Sequence, residues 1–328
     1  MQQGVDENFL SFVISEEDVD KRLDVFLAEK IINWSRSRLK RLINEGDVLV
    51  NEETSKPAYK LRKGDVIEVE LSEIPTACFQ PENIPIELVY EDEFLAVIDK
   101  PSGMVVHPGA GISSGTLANA IAWHFGLKAN LEKTPEEACR VGIVHRLDKE
   151  TSGLLVVAKS DEIQQKLSEQ FQNREVEKKY IALVHGVIEQ ECGKIEAPIG
   201  RDRKIRTKMR ISENGRYALS FWRVIRRYQN FTLVEVEIKT GRTHQIRVHL
   251  AHIGHPIVGD KLYNSGRDKT LPQTEIKKAI FELKRFFLHS HFLAFKHPVR
   301  GQKLAFSSKL PKELNDFLKI LEKSSKFS

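Results

Sequence analysis

Residues 141–159 read Val141-Gly142-Ile143-Val144-His145-Arg146-Leu147-Asp148-Lys149-Glu150-Thr151-Ser152-Gly153-Leu154-Leu155-Val156-Val157-Ala158-Lys159. The stretch runs apolar, then densely polar, then apolar again, which predicts two short buried strands, 140–144 and 154–158, around a charged loop. A loop at a strand end is where a rigid scaffold presents side chains to a ligand. Asp148 sits there among His145, Arg146 and Lys149, and nearby positive charge favours the ionised carboxylate. Two readings follow. Asp148 is a nucleophile aimed at a nucleic-acid base or sugar, or it is one member of a strand-end ion pair, since structural ion pairs also gather charge.

Working outward, 328 residues with 41 % hydrophobic content suffice for two domains with cores of their own. Met1 to Glu7 is polar and acidic, and nowhere do about 18 apolar residues run together, so the reading is a soluble, cytoplasmic protein without a membrane partner. Cys78, Cys139 and Cys192 are odd in number and far apart, which speaks against a disulfide framework and a Cys-based zinc site. The net charge of +5 is modest but unevenly placed. Between Gly200 and Arg227 there are ten basic residues, Arg201, Arg203 and Lys204 among them, against Asp202 and Glu213. A second basic cluster lies in 30–63. Local concentration of this kind attracts a phosphate backbone.

Toward the amino terminus, Val19, Leu23, Phe26, Leu27 and Ile31 lie on one face of a helix expected over 18–31. A second helix follows, capped by Ser35 or Ser37, with Leu39, Leu42 and Ile43 inward and Gly46 at its left-handed end. Arg36, Arg38, Lys40 and Arg41 surround its start, where backbone N–H groups also favour anions. Strands at 48–50 and 67–71 complete a small α/β unit. Ser35-Arg36-Ser37-Arg38-Leu39-Lys40 followed by Gly46-Asp47-Val48-Leu49-Val50-Asn51 resembles the small RNA-binding domain of the ribosomal protein S4 type. The domain is placed at 11–72. Pro75, Pro81 and Pro85 then mark a linker, 73–88, before a larger domain, 89–325.

In that larger domain a strand is expected at 94–98, a type I turn at Lys100-Pro101-Ser102-Gly103, and an extended run through His107 into a glycine-rich loop that lacks the Gly-Lys-Ser/Thr of a phosphate loop. Ser160 caps a helix with Ile163, Leu167 and Phe171 inward. A strand at 178–184 puts Tyr180 on the side of Ala182 and Val184, either packed or lining a pocket. Residues 200–210 read as an exposed loop or ribbon, and 231–239 as a strand with one buried face. Thr243 is positioned to cap a helix with Ile246, Leu250 and Ile253 inward, and Gly241-Arg242 makes its start a second anion-friendly site. His244, His249, His252 and His255 do not form a hydrolytic zinc helix, because no carboxylate lies between Thr240 and Asp260, so no metal is expected. A strand at 288–295 and a helix from Pro311 with Leu314, Phe317, Leu318 and Leu321 inward close the chain.

His145-Arg146-Leu147-Asp148-x-x-Thr151-Ser152-Gly153, Lys179-Tyr180-x-Ala182 and Gly241-Arg242-Thr243-His244-Gln245-Ile246-Arg247-x-His249, in this order, resemble the RluA family of RNA pseudouridine synthases over about 85–311. The amino-terminal domain, residues 105–111 and Pro198-Ile199-Gly200 are similar to the branch whose members modify uridines in a stem-loop of large-subunit ribosomal RNA. The resemblance implies an α+β fold, with a mixed, mostly antiparallel sheet and flanking helices around a catalytic cleft. It implies that Asp148 is the catalytic carboxylate, Tyr180 the aromatic acid/base that stacks on the uracil, and Arg247 the cation paired with Asp148. Arg146 would hold the flipped-out nucleotide, with His107, Arg242 and His244 also facing RNA. No cofactor and a monomeric state are expected. A non-catalytic RNA-binding assembly factor would not require the trio Asp148, Tyr180 and Arg247. A nucleoside or glycoside hydrolase would want a second carboxylic acid near Asp148.

Overall fold

The computed structural model of the chain describes residues 9–31, 34, 36–70, 80–107, 114–126, 142–202, 205, 208–272 and 274–324. Two compact units are present, the smaller built from the amino-terminal quarter of the chain. Its elements are β1 (Phe9–Val13), α1 (Leu23–Lys30), α2 (Arg36–Glu45), β2 (Val48–Val50), β3 (Glu53–Thr54) and β4 (Val66–Glu70), the strands ordered β1-β4-β2-β3. Leu23, Phe26 and Leu27 of α1 and Leu39, Leu42 and Ile43 of α2 pack on Val48, Val50, Ile67 and Val69 of the sheet. The first helix starts at Leu23 rather than at residue 18. Asp20 adopts a left-handed backbone (φ 62°), and its N–H bonds to Leu61 O at 2.9 Å, so the chain turns before the helix begins. Gly46 ends α2 with φ +85°, as expected.

The larger unit contains β5 (Glu87–Glu91), β6 (Leu95–Lys100), α3 (Leu117–His124), β7 (Ser152–Ala158), α4 (Asp161–Gln172), β8 (Glu177–His185), β9 (Cys192–Glu196), β10 (Ile199–Arg201) and β11 (Met209–Ile211). These are followed by β12 (Leu219–Tyr228), β13 (Phe231–Ile238), α5 (Gln245–His252), α6 (Arg267–Thr270), α7 (Thr274–Leu283), β14 (Leu288–Lys296), β15 (Lys303–Ser307) and α8 (Lys312–Ser324). Nine strands form one sheet in the order β5-β6-β7-β14-β8-β13-β12-β9, with β15 on β14. Every pairing in it is antiparallel except that of β7 with β14. The fold is therefore α+β with a mixed, mostly antiparallel sheet.

Alternation explains the continuously apolar strands. Leu155 and Val157 of β7 join Ala96 and Ile98 in a core with Leu117 and Ile121 of α3 and Leu314 and Phe317 of α8. Leu154 and Val156 join Leu95 and Val97 in a separate core with Ile163 and Leu167 of α4. Successive side chains point to opposite faces, and both faces are covered, so neither can be polar. The run 140–144 is shorter as a strand than expected: Ile143 makes a single antiparallel bridge to Val157, and 140–141 lie outside the described residues. The segment expected as a linker ends early too. Asn119 Nδ2 donates to Gln80 O at 2.8 Å and Glu82 N to Asn119 O at 3.1 Å, which pins 80–82 to α3; residues 71–79 lie outside the described set. Among the described residues no helix is long and apolar enough to cross a membrane.

Candidate active site

The loop that carries Asp148 is held from below by the turn after β6. Lys100 is fully buried, and its Nζ donates to Pro101 O (2.8 Å), Met104 O (2.9 Å) and Lys149 O (3.3 Å). Gly103 N donates to Lys149 O, Ser102 Oγ to Glu150 O, and Thr151 N closes a turn on Asp148 O at 3.0 Å. Gly153 has φ +113°, and a Cβ there would lie 2.2 Å from Ser290 O, so only glycine lets β7 approach β14 at the loop's base. Leu147 is buried beneath the loop while Asp148 keeps one side open.

Arg247, on α5, answers Asp148. Its Nη1 donates to Asp148 Oδ2 at 3.1 Å, while Nε and Nη2 grip both oxygens of Asp260 at 2.7 and 2.9 Å. Asp260 is fully buried and also accepts from Leu262 N and Tyr263 N. The guanidinium carbon lies 4.4 Å from the Phe286 ring centroid and 4.9 Å from that of Tyr263. Burial works against the charge on Arg247, but Asp260 and then Asp148 outweigh it and hold the group above its ordinary value. A planar fork gripped by one carboxylate and packed against two rings has one direction left for its remaining N–H groups, toward Asp148. Asp260, Tyr263 and Phe286 are functional neighbours that the sequence reading missed. One signal was available: apolar Ile257-Val258 running into Gly259-Asp260 repeats the pattern of apolar strand followed by carboxylate seen at 143–148.

Tyr180, on β8, is buried, and its phenol is hydrogen-bonded to Ser290. Burial first, and then the charge of Asp148, push its pKa well above the usual range against the opposing effect of Ser290, so it holds its proton. Both readings left open for it apply, because Tyr180 packs in the core and also lines a cleft of about 720 Å³. Asp148, Arg146, His107, Arg242, His244 and Arg247 line the same cleft. Among its described lining residues, Arg146, Arg174, Lys178, Lys239, Arg242 and Arg247 face a single carboxylate, Asp148.

The helix start at 240–245 departs from expectation. His244, with φ 54°, occupies the cap position and makes no side-chain cap bond. Gln245 Oε1 instead accepts from Arg242 N (3.0 Å) and Thr240 Oγ1 (2.7 Å), so it is Gln245, not Thr243, that closes the turn. The histidines are separately employed: His244 Nδ1 with Tyr263 Oη, His249 between Ser220 Oγ and Ala197 O, and His255 with His185 O. In the smaller unit, Arg36 and Lys40 are less free than a basic helix face implies. Together with Arg22 they surround buried Asp24, Arg36 Nη2 at 3.0 Å and Lys40 Nζ at 3.6 Å, which leaves a cationic surplus. The side chains of Arg38 and Arg41, and all of Arg203 and Lys204, lie outside the described residues; Arg201 ends β10 of the basic ribbon β10–β11.

His145 carries a pH prediction. Its Nε2 accepts from Val156 N at 3.0 Å, and its ring stacks on Phe171 with centroids 4.6 Å apart. Burial, and secondarily Lys178, lower its pKa to about 3. Because the folded value lies below the unfolded one, the unfolded chain binds the extra proton. Stability is thus fully present above the ordinary histidine value of about 6.5 and falls as pH drops from there toward 3. Urea midpoints measured from pH 7 to 4 should fall, and His145→Gln, which keeps an acceptor, should flatten part of that fall. An unchanged slope in the variant would remove His145 as a source.

With the geometry in place, comparison with known proteins gives its class. Residues 94–252 match the family described as RNA pseudouridylate synthase and residues 21–67 the S4 domain. The chain belongs to the RluA family of RNA pseudouridine synthases. It is similar to the ribosomal large subunit pseudouridine synthase D of Xanthomonas campestris pv. campestris, 40% identical over 326 residues, 98% of this chain and 96% of that protein. It is also similar to the RNA pseudouridine synthase YlyB of Bacillus subtilis, 38% identical over 97% of this chain and 99% of that one. Among solved structures, human RNA pseudouridylate synthase domain containing 4 superposes with a TM-score of 0.57 at 27% identity, covering 72% of this chain and 93% of the other.

Proposed function

We propose that this enzyme converts uridines of large-subunit ribosomal RNA to pseudouridine, with Asp148 as nucleophile, Tyr180 as acid/base and stacking partner, and Arg247 as the permanent counter-ion of Asp148. The observation that carries the proposal is the 3.1 Å pair of Arg247 and Asp148 beside a protonated, buried Tyr180, in a cleft whose other charged lining residues, among those described, are cationic. The reaction breaks the N1–C1′ bond of uridine, rotates the uracil and joins C5 to C1′; the C5 proton leaves and N1 gains one. A carboxylate can carry the separated halves through a covalent intermediate, as in retaining glycosidases. The net change is an isomerisation, so it calls for no redox or phosphoryl cofactor. The base must leave the stack, at a cost of a few kcal/mol that cleft contacts offset. Arg146, His107, Arg242 and His244, which line the cleft, would face the extruded nucleotide. Arg36, Arg38, Lys40 and Arg41 of the small domain, with Arg201, Arg203 and Lys204 of the ribbon, would take flanking phosphates. A cytoplasmic monomer fits this reading.

Hydrolysis is less well supported. Glu150, the nearest second carboxylic acid in sequence, accepts from Phe286 N through Oε2 and does not line the cleft. An assembly factor would have no use for a nucleophile aligned by a buried cation. The direct test is a map of pseudouridines in large-subunit RNA from cells with and without the gene; identical maps would refute the assignment. Tyr180→Phe should bind RNA normally and lose about 10²–10⁴-fold in turnover, the range of general acid–base catalysis. A wild-type single-turnover rate in that variant would remove the proton-transfer role.

A further inference from the structure

One group at the cleft mouth has no part in the scheme above. Arg174 follows α4 in a left-handed backbone conformation, φ 62°, at a helix end where glycine is the usual residue. Its guanidinium carbon lies 5.2 Å from the ring centroid of Tyr217, an exposed tyrosine leading into β12. Arg242, from the turn after β13, donates through Nε to Tyr217 O at 3.1 Å. Arg216 precedes Tyr217 in the chain. Three arginines from three separate segments thus gather around one tyrosine. Among the described residues no carboxylate pairs with Arg174 or Arg242; nearby Glu196 accepts from Tyr217 Oη and Lys194 Nζ. Burial first, and then the charges of Arg216 and Arg174, lower the pKa of Arg242.

We infer that Arg174 and Arg242, with Tyr217 as the plate that orients Arg174, form a clamp for one phosphodiester of the RNA next to the extruded uridine. The inference rests on the RNA-modifying reading above and adds a binding site to it. Two guanidinium forks converging from different segments suit the geometry of a phosphate, which offers oxygens to both. Tyr217 restricts the rotamers of Arg174, so less freedom is lost when the phosphate arrives. The clamp would set which phosphate occupies the mouth, and so which nucleotide reaches Asp148.

The test uses the full chain and stem-loop RNAs that carry a single neutral methylphosphonate at each linkage from two nucleotides before to two after the modified uridine. For wild type, one linkage should weaken binding about tenfold, the worth of a charge-assisted contact. Arg174→Gln should weaken binding of unmodified RNA by a similar factor, lower the salt slope by about one, and lose its sensitivity at that one linkage. Tyr217→Leu should show the same loss at the same linkage and replaces Arg174→Gln if that protein does not fold. The clamp is refuted if the effects of substitution and methylphosphonate multiply at every linkage, or if both variants bind as wild type. A wild-type protein that makes no pseudouridine would instead defeat the functional assignment, whatever the linkage pattern.

Discussion

Asp148→Asn is expected to lower the single-turnover rate of pseudouridine formation by at least about 10⁴-fold, the scale on which loss of a nucleophile acts, with RNA affinity unchanged. The amide is nearly isosteric and its oxygen can still accept from Arg247 Nη1, while Asp260 continues to hold the guanidinium. What disappears is the anionic oxygen that would attack. Mass spectrometry of RNA digests after a single turnover reads the rate, and a filter-binding titration reads affinity. A rate within tenfold of wild type would exclude covalent catalysis by this residue.

The second large effect concerns a residue outside the motifs. Asp260→Ala should destabilise the larger unit by about 3–5 kcal/mol, the cost of stripping one partner from a buried ion pair, read from the urea midpoint. Two guanidinium bonds and two backbone N–H bonds end on this fully buried carboxylate, and all four lose their acceptor. Arg247 would retain Asp148 and the rings of Phe286 and Tyr263, but not the grip that aims it. Turnover of the protein that still folds should therefore fall further than RNA affinity. An unaltered midpoint with wild-type turnover would show that Asp148 and the two rings suffice to position Arg247.

The elements were legible where local chemistry decides. The α4 cap at Ser160, whose Oγ accepts from Ile163 N at 3.4 Å, and the inward stripe of α8 follow from residue type and 3.6-residue spacing. The short strand β1 went unread, because its five residues are held by pairing with β4, more than fifty residues away. Gln245 displaced Thr243 at the start of α5 for a related reason. A side chain that bridges Thr240 and Arg242 closes the turn more completely than one cap hydroxyl, and spacing alone does not rank the two. The basic face of α2 was visible as charge, but the buried Asp24 that engages Arg36 and Lys40 lies on another helix.

The opening stretch, 141–159, and the segments around Tyr180 and Arg247 were enough to indicate the family, because its motifs are local in sequence, and through that resemblance they singled out the residues proposed to carry the chemistry. Only the tertiary structure decided how those residues are poised. Asp148 and Arg247 stand 99 positions apart, and they meet because β7 runs parallel to β14, which pairs with β8, in a sheet whose order does not follow the chain. Such a register is set by the burial of both sheet faces and by Gly153 fitting against Ser290 O. No periodicity within a single strand encodes it. The sharing of Arg247 between an open carboxylate, Asp148, and a buried one, Asp260, arises from that register.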